Sequence, residues 1–287
     1  MDFFDDLIQG VQRTLTASGV GFDAKRAQTD PIVFLATYLE FEARKIDDAP
    51  RRVHVSKELQ ASPERTAHCV ALDRLAELAR TGQSLQPYQS KQIHSFERND
   101  LLLADWNIHH LHLGEQLRGQ AFATRTGPLL FATFLPDDAY FVAVMDHSSF
   151  SEIELLEIID ANWPRYLDEF TLKGVIGVSH APTSADVSKL RRAGIQTVIP
   201  LASGRVLTPP GGGLTTARSS IAHMMRAQAI HRLLENAEEY VRQNETDVRA
   251  ALKIGSAEVV RLASLEPDRI VFTADGSPLQ HSVPIAG

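Results

Sequence analysis

Apolar side chains recur at helical spacing from the first residues onward. Phe3, Phe4, Leu7, Ile8, Val11 and Leu15 predict an amphipathic helix over about residues 2–18, ending near Gly19. Asp30-Pro31 starts a second, because aspartate suits the N-cap and proline the first helical position, with Phe34, Leu35, Tyr38, Leu39 and Phe41 as its buried stripe. Ser62-Pro63 repeats that signal. The helix it opens runs to Arg80, with Cys69, Val70, Leu72, Leu75, Leu78 and Ala79 on its apolar face, and Thr81-Gly82 stops it. Between the second and third helices, Val53-His54-Val55 is too short to assign. Residues 1–100 therefore form a mostly helical N-terminal region.

The pattern changes at Leu101. Residues 108–113 alternate, which on a strand puts Ile108, His110 and His112 on one face and His109, Leu111 and Leu113 on the other. Residues 129–135 and 140–146 are two further strand-like runs, and the Pro136-Asp137-Asp138-Ala139 turn between them predicts an antiparallel hairpin. Ser151-Glu152-Ile153-Glu154 has the form of a capping box and opens a helix that Pro164 interrupts. Residues 101–170 thus make a central antiparallel sheet with a helix.

A boundary near 168–173 leads to a smaller α/β part over 171–287. Val175–Val178 and Thr197–Leu201 read as two strands around a helix capped by Ser184 and stopped by Gly194, a small βαβ unit. After the loop Gly211-Gly212-Gly213, a long helical pattern runs from about Thr215 to Leu252. Residues 269–273 and the turn at Asp275-Gly276 suggest a closing hairpin. The fold class expected is α+β.

Composition narrows what such a chain does. With 44% hydrophobic and 23% charged residues over 287 positions it can bury a real core, and its net charge of -7 argues against tight, extended binding of DNA. Cys69 is the only cysteine, which rules out an intrachain disulfide and a cysteine zinc cluster. The acidic start and the lack of any long apolar run point to a cytoplasmic protein without a membrane partner.

Candidate chemistry concentrates between Trp106 and His147, which hold four of the eleven histidines. Two histidines two residues apart on a strand lie about 6.5–7 Å apart along one face, a spacing suited to a phosphate or to one metal ion. Histidine both takes and gives a proton around neutral pH. With His147 at the end of the hairpin and Arg118 and Arg125 between, the residue types for metal-free RNA cleavage are present: one imidazole as base, another as acid, an arginine on the phosphate. The rival set is metal binding by His110, His112 and His147 with Asp105 or Asp146, which would call for a divalent metal as cofactor where the first chemistry needs none. The plainest alternative is that these are hydrogen-bonded structural histidines, and His109, on the opposite face, is read as one.

In their order, these elements resemble the core of RelE/ParE-type endoribonuclease toxins: helices, a strand ending at Gly114, an arginine-bearing connector, the hairpin, the polar turn His147-Ser148-Ser149 and a short helix. The resemblance covers residues 65–165. It implies a sheet face that cleaves RNA, with His110, His112, His147, Arg118 and Arg125 in the working positions; some relatives use the same core only to bind and poison a protein. The partners expected are RNA or a protein, self-association included. A second, weaker anion site is suggested where Gly212 and Gly213, with Thr215, Thr216 and Arg218, precede the long helix, although the Gly-Lys-Ser/Thr ending of a phosphate loop is missing.

Overall fold

A computed structural model describes residues 1–116, 119–175, 177–275 and 277–285. The helices are α1 (Phe3–Ala17), α2 (Ala24–Thr29), α3 (Pro31–Ala43), α4 (Lys57–Ala61), α5 (Pro63–Ala67), α6 (Cys69–Thr81), α7 (Leu101–Trp106), α8 (Glu154–Asn162), α9 (Ser184–Arg192), α10 (Ile221–Gln243) and α11 (Glu245–Leu252). The strands are β1 (Arg52–Val55), β2 (His109–His112), β3 (Pro128–Phe134), β4 (Asp138–Asp146), β5 (Ile199–Pro200), β6 (Val206–Leu207), β7 (Val260–Leu265), β8 (Arg269–Ala274) and β9 (His281–Pro284). The fold is α+β, with a helical N-terminal region and a long C-terminal helix. No helix among the described residues is long and apolar enough to cross a membrane.

The chain divides differently from the three sequence segments 1–100, 101–170 and 171–287. Residues 1–39 and 224–287 form one compact unit and residues 40–223 the other. The first unit is tied by its two ends. Phe3 of α1 stacks on Phe272 of β8 at 5.1 Å, and the Phe3 amide donates to Glu238 of α10 at 2.8 Å. The Asp6 carboxylate accepts from the Leu262 amide of β7 at 2.9 Å and from Arg261 at 3.1 Å. The stripe read from the sequence is thus the buried face of α1, with Phe3, Phe4, Ile8, Val11 and Leu15 inside. The closing hairpin is the last pair of an antiparallel sheet ordered β7-β8-β9.

The second unit is built on a four-stranded sheet ordered β1-β4-β3-β2. It is mixed rather than wholly antiparallel, because Val53-His54-Val55, too short to assign alone, lies parallel to β4 with His54 opposite Tyr140. Alternation sorts its side chains into two cores. Leu111, Leu113, Leu130 and Phe141 pack with Leu72 and Leu75 of α6 on one face. Ile108, Leu129, Phe131 and Val142 pack with Trp106 of α7 and Leu155 of α8 on the other. His110 and His112 follow the parity of Ile108, so they belong to the α7–α8 side.

Local chemistry explains where elements stop and start. The helix expected from Ser62 to Arg80 breaks at His68, and beyond the break Cys69 and Val70 are exposed rather than buried. Gly82 ends α6 at φ 70°, the left-handed C-cap that glycine adopts without a Cβ penalty. Thr183 rather than Ser184 caps α9, in a capping box with Asp186, and frees the Ser184 hydroxyl to accept from the Ile153 amide at 3.2 Å in front of α8. That contact takes the place of the box read at Ser151. The expected βαβ unit does not form. Val175, Gly177 and Val178 carry no strand pairing, Ile176 lies outside the described residues, and Ile199-Pro200 pairs antiparallel with Val206-Leu207 instead.

Candidate functional site

The site begins at the C-terminus of α7. Asn107 ends that helix at φ 57°, its carbonyl accepts from the Thr133 hydroxyl at 3.0 Å, and its side chain donates to the Tyr166 hydroxyl at 3.1 Å. These contacts turn the chain into β2, which among the described residues pairs only with β3 and lies at one edge of the sheet. Strand register then decides which residues meet. His112 lies opposite Leu129, Leu129 lies opposite Met145, and His147 follows two residues later. His147 therefore returns to the level of His112, with ring centroids 5.7 Å apart. Phe150 fills the space beside them, edge-on to His110 at 5.0 Å and 6.1 Å from His147.

The three rings face a cleft of about 720 Å³, within the size range of small-ligand sites. Its lining holds six arginines, Arg44, Arg98, Arg125, Arg191, Arg192 and Arg218, against two carboxylates, Glu97 and Asp100, so a chain of net charge -7 concentrates positive charge here. Two of the arginines are structural. Arg44 donates to the carbonyls of Ser95 at 2.8 Å and Phe96 at 3.3 Å, which fixes one wall of the cleft, and Gln89 braces the same wall by donating to the Arg44 carbonyl at 2.7 Å. Arg191 is buried against Asp105, with its Nε 2.8 Å from the carboxylate, stacks over Trp106 and donates to the Phe150 carbonyl. Among the described residues the other four, Arg98, Arg125, Arg192 and Arg218, have no carboxylate partner.

The histidines are not equivalent. His112 is buried, and its Nδ1 accepts from the Thr126 amide at 3.4 Å, so its neutral ring carries the proton on Nε2 and presents a donor to the cleft. Burial pushes its pKa to about 4, helped by His110, His147 and Arg125 nearby. Of the three candidate imidazoles, His112 is thus placed as a neutral hydrogen-bond donor. His110 is half-buried and points Nδ1 at the Asp100 carboxylate, 3.9 Å away, without a hydrogen bond. Burial lowers its pKa and Asp100 opposes the shift. His147 is exposed at the mouth. His109, off the common face, packs edge-on to Phe134 at 5.6 Å, and burial pushes it down to about 4. It also touches the cleft, because β2 has an open side.

A stability consequence follows for this unit. His109 and His112 titrate near 4 when folded against about 6.5 when free. Between those values the unfolded chain binds protons that the folded chain does not, so stability is full above about pH 6.5 and falls as pH drops toward 4. Each unit of pKa difference is worth about 1.4 kcal/mol. Thermal unfolding followed from pH 7 to pH 4 should show a large fall in Tm that His109→Leu reduces; an equal fall in that variant would contradict the assignment.

Several expected residues are placed elsewhere. Asp105 faces Arg191 rather than the histidines, and its pKa is raised by burial against the opposing pull of that arginine. Asp146 is exposed. Among the described residues no three His, Cys, Asp or Glu side chains converge to hold a metal ion, so the set His110, His112, His147 and Asp105 is not assembled as ligands. Arg118 lies outside the described residues. The glycine loop is spent on packing: the amides of Gly211, Gly212 and Gly213 donate to the carbonyls of Asp105, Pro209 and Ala104 at 2.9, 2.9 and 3.0 Å. A Cβ on Gly211 would sit 2.4 Å from the Leu103 carbonyl oxygen. The long helix starts at Ile221, not Thr215, so Gly212, Gly213, Thr215 and Thr216 present no helix-terminal anion site, while Arg218 reaches the cleft.

Arg44, Arg98, Asn99 and Asp100 were not found by sequence reasoning. The one local signal was Asp100, the N-cap of α7, which accepts from the Leu102 and Leu103 amides at 3.2 and 3.1 Å. Compared with protein-family models, with curated proteins and with solved structures, the chain matches none. Its site therefore has to be understood from its own geometry.

Proposed function

We propose that this cleft binds single-stranded RNA and cleaves its phosphodiester bonds without a metal ion. The observation that carries this reading is the convergence of three imidazoles of unlike environment in a cleft where four arginines have no carboxylate partner among the described residues. Protein partners and self-association stand behind RNA here, because the feature to be explained is a concave cationic cleft.

In the proposed reaction His110 takes the 2′-hydroxyl proton at Nε2, with Asp100 beside Nδ1 to orient the ring and balance the charge it gains. Catalytic hydrogen bonds are often long before substrate arrives, and the 3.9 Å separation is of that kind. The 2′-oxygen attacks phosphorus, the bond to the 5′-oxygen breaks, and the departing oxygen takes a proton from protonated His147. The His112 Nε2–H and Arg125 donate to the non-bridging oxygens, where negative charge grows. His110 ends protonated and His147 neutral; the products are a 2′,3′-cyclic phosphate and a 5′-hydroxyl. The likeness of residues 65–165 to RelE/ParE-type cores is one of element order, and the chemistry proposed stands without it.

The test is to incubate the protein with single-stranded RNA in excess chelator and analyse the ends. Cyclic phosphate ends, with DNA of the same sequence left intact, are expected. Intact RNA, or cleavage that requires added metal, would overturn the mechanism, and tight RNA binding without cleavage would favour a binding role.

A further inference from the structure

Three of the cleft arginines without a carboxylate partner among the described residues, Arg98, Arg125 and Arg218, sort by their contacts. Arg125 acts electrostatically on His112 and belongs to the histidine end. Arg98 acts instead on Arg44, and the next residue, Asn99, donates through Nδ2 to the Arg218 carbonyl at 2.8 Å. Segments 119 residues apart are thereby joined so that Arg98 and Arg218 line the cleft together. Asp100 follows Asn99, lies 3.9 Å from His110 and uses its carboxylate to cap α7, so the Arg98 segment adjoins the histidines.

Arg218 is held there at some cost. Its φ of 63° lies in the left-handed region that residues with a Cβ avoid. The turn around it is over-determined: the Arg218 amide donates to the Thr215 carbonyl at 2.8 Å, the Thr215 amide to the Ser219 carbonyl at 2.8 Å, and the Thr215 and Ser219 hydroxyls share a hydrogen bond of 2.8 Å. A strained backbone held by its surroundings is typical of a ligand clamp. Two exposed arginines that line one cleft and have no carboxylate partner among the described residues call for an anion of their own.

We infer that Arg98 and Arg218 form a second phosphate subsite that binds the phosphate next to the scissile one. Asn99 is its positioning residue. The substrate class is then a single strand with at least two adjacent phosphates, and a lone dinucleoside monophosphate or a cyclic mononucleotide fills only half of the site. This rests on the RNA reading above, but phosphate recognition can be measured without chemistry.

The experiment measures binding of uncleavable 2′-deoxy dinucleotides to the full chain: d(NpN), d(pNpN) and d(NpNp). One added phosphate, on whichever side the subsite lies, should tighten Kd about ten-fold, the value of one charge-assisted arginine contact. The ratio between two-phosphate and one-phosphate ligands should fall to about one in Arg98→Ala/Arg218→Ala, and part-way in Asn99→Ala. Both arginines are exposed, so the double variant should keep the native unfolding midpoint. Equal affinity for all three ligands in the native protein, or a gain that survives in the double variant, would overturn the subsite. Absence of RNA cleavage would sink the catalytic reading alone, since these affinities do not depend on it.

Discussion

Alanine at His147 should lower RNA cleavage by about 10²–10⁴-fold, the usual worth of a general acid, and leave the unfolding midpoint unchanged because the ring is exposed at the cleft mouth. His110→Ala should cost a similar factor. His112, at the phosphate, should respond differently. If His112 acts through a neutral Nε2–H, then His112→Asn, which keeps an N–H donor, retains much more activity than His112→Ala, whereas His110→Asn is as inactive as His110→Ala. Asp100→Asn removes the charge beside His110 and should lower kcat with little change in KM. Single-turnover cleavage rates for the six variants check this pattern. Loss of less than about five-fold in His147→Ala would remove it from the mechanism.

The largest effect on stability is expected at Asp105. Asp105→Ala leaves the Arg191 guanidinium buried without its carboxylate, and breaking such a pair costs about 3–5 kcal/mol. The damage should reach the site, because Arg191 also holds the Phe150 carbonyl, and Phe150 sits between the His110 and His147 rings. The double variant Asp105→Leu/Arg191→Met should recover much of the stability, since apolar side chains of similar volume replace a buried pair at little or no cost. Urea unfolding of the single and double variants measures both numbers. A single variant as stable as the native protein would show that the pair contributes nothing.

Much of this architecture was legible wherever one element carries its own period. The stripe Phe3–Leu15 marked the buried face of α1, and period-two alternation put His110 and His112 on the Ile108 side of β2. The hairpin turn at 136–139 brought His147 back toward the same end. What stayed hidden depends on partners distant in sequence. Four residues of β1 have no periodicity to read and become a strand only because β4 accepts them. Val175, Gly177 and Val178 have strand composition but, among the described residues, no strand to pair with. The turn from Thr215 to Ser219 closes on itself through the Thr215–Arg218 and Thr215–Ser219 hydrogen bonds, and α10 starts only beyond it. The cleft wall rests on Arg44 reaching carbonyls about fifty residues away, which no local pattern announces.

The discontinuity of the first unit sets the order in which this protein can be made. Phe3 and Asp6 find their partners on β7 and β8, more than 250 residues later, so α1 leaves the ribosome with its apolar stripe uncovered. Synthesis at about 5–20 residues per second leaves that stripe waiting for ten seconds or longer while residues 40–223 emerge and fold. During that interval α1 is the segment a chaperone would hold. A chain truncated before β8 would have the residues of the cleft but would lack Phe272, on which Phe3 stacks, leaving its first helix less covered and such fragments more open to proteolysis.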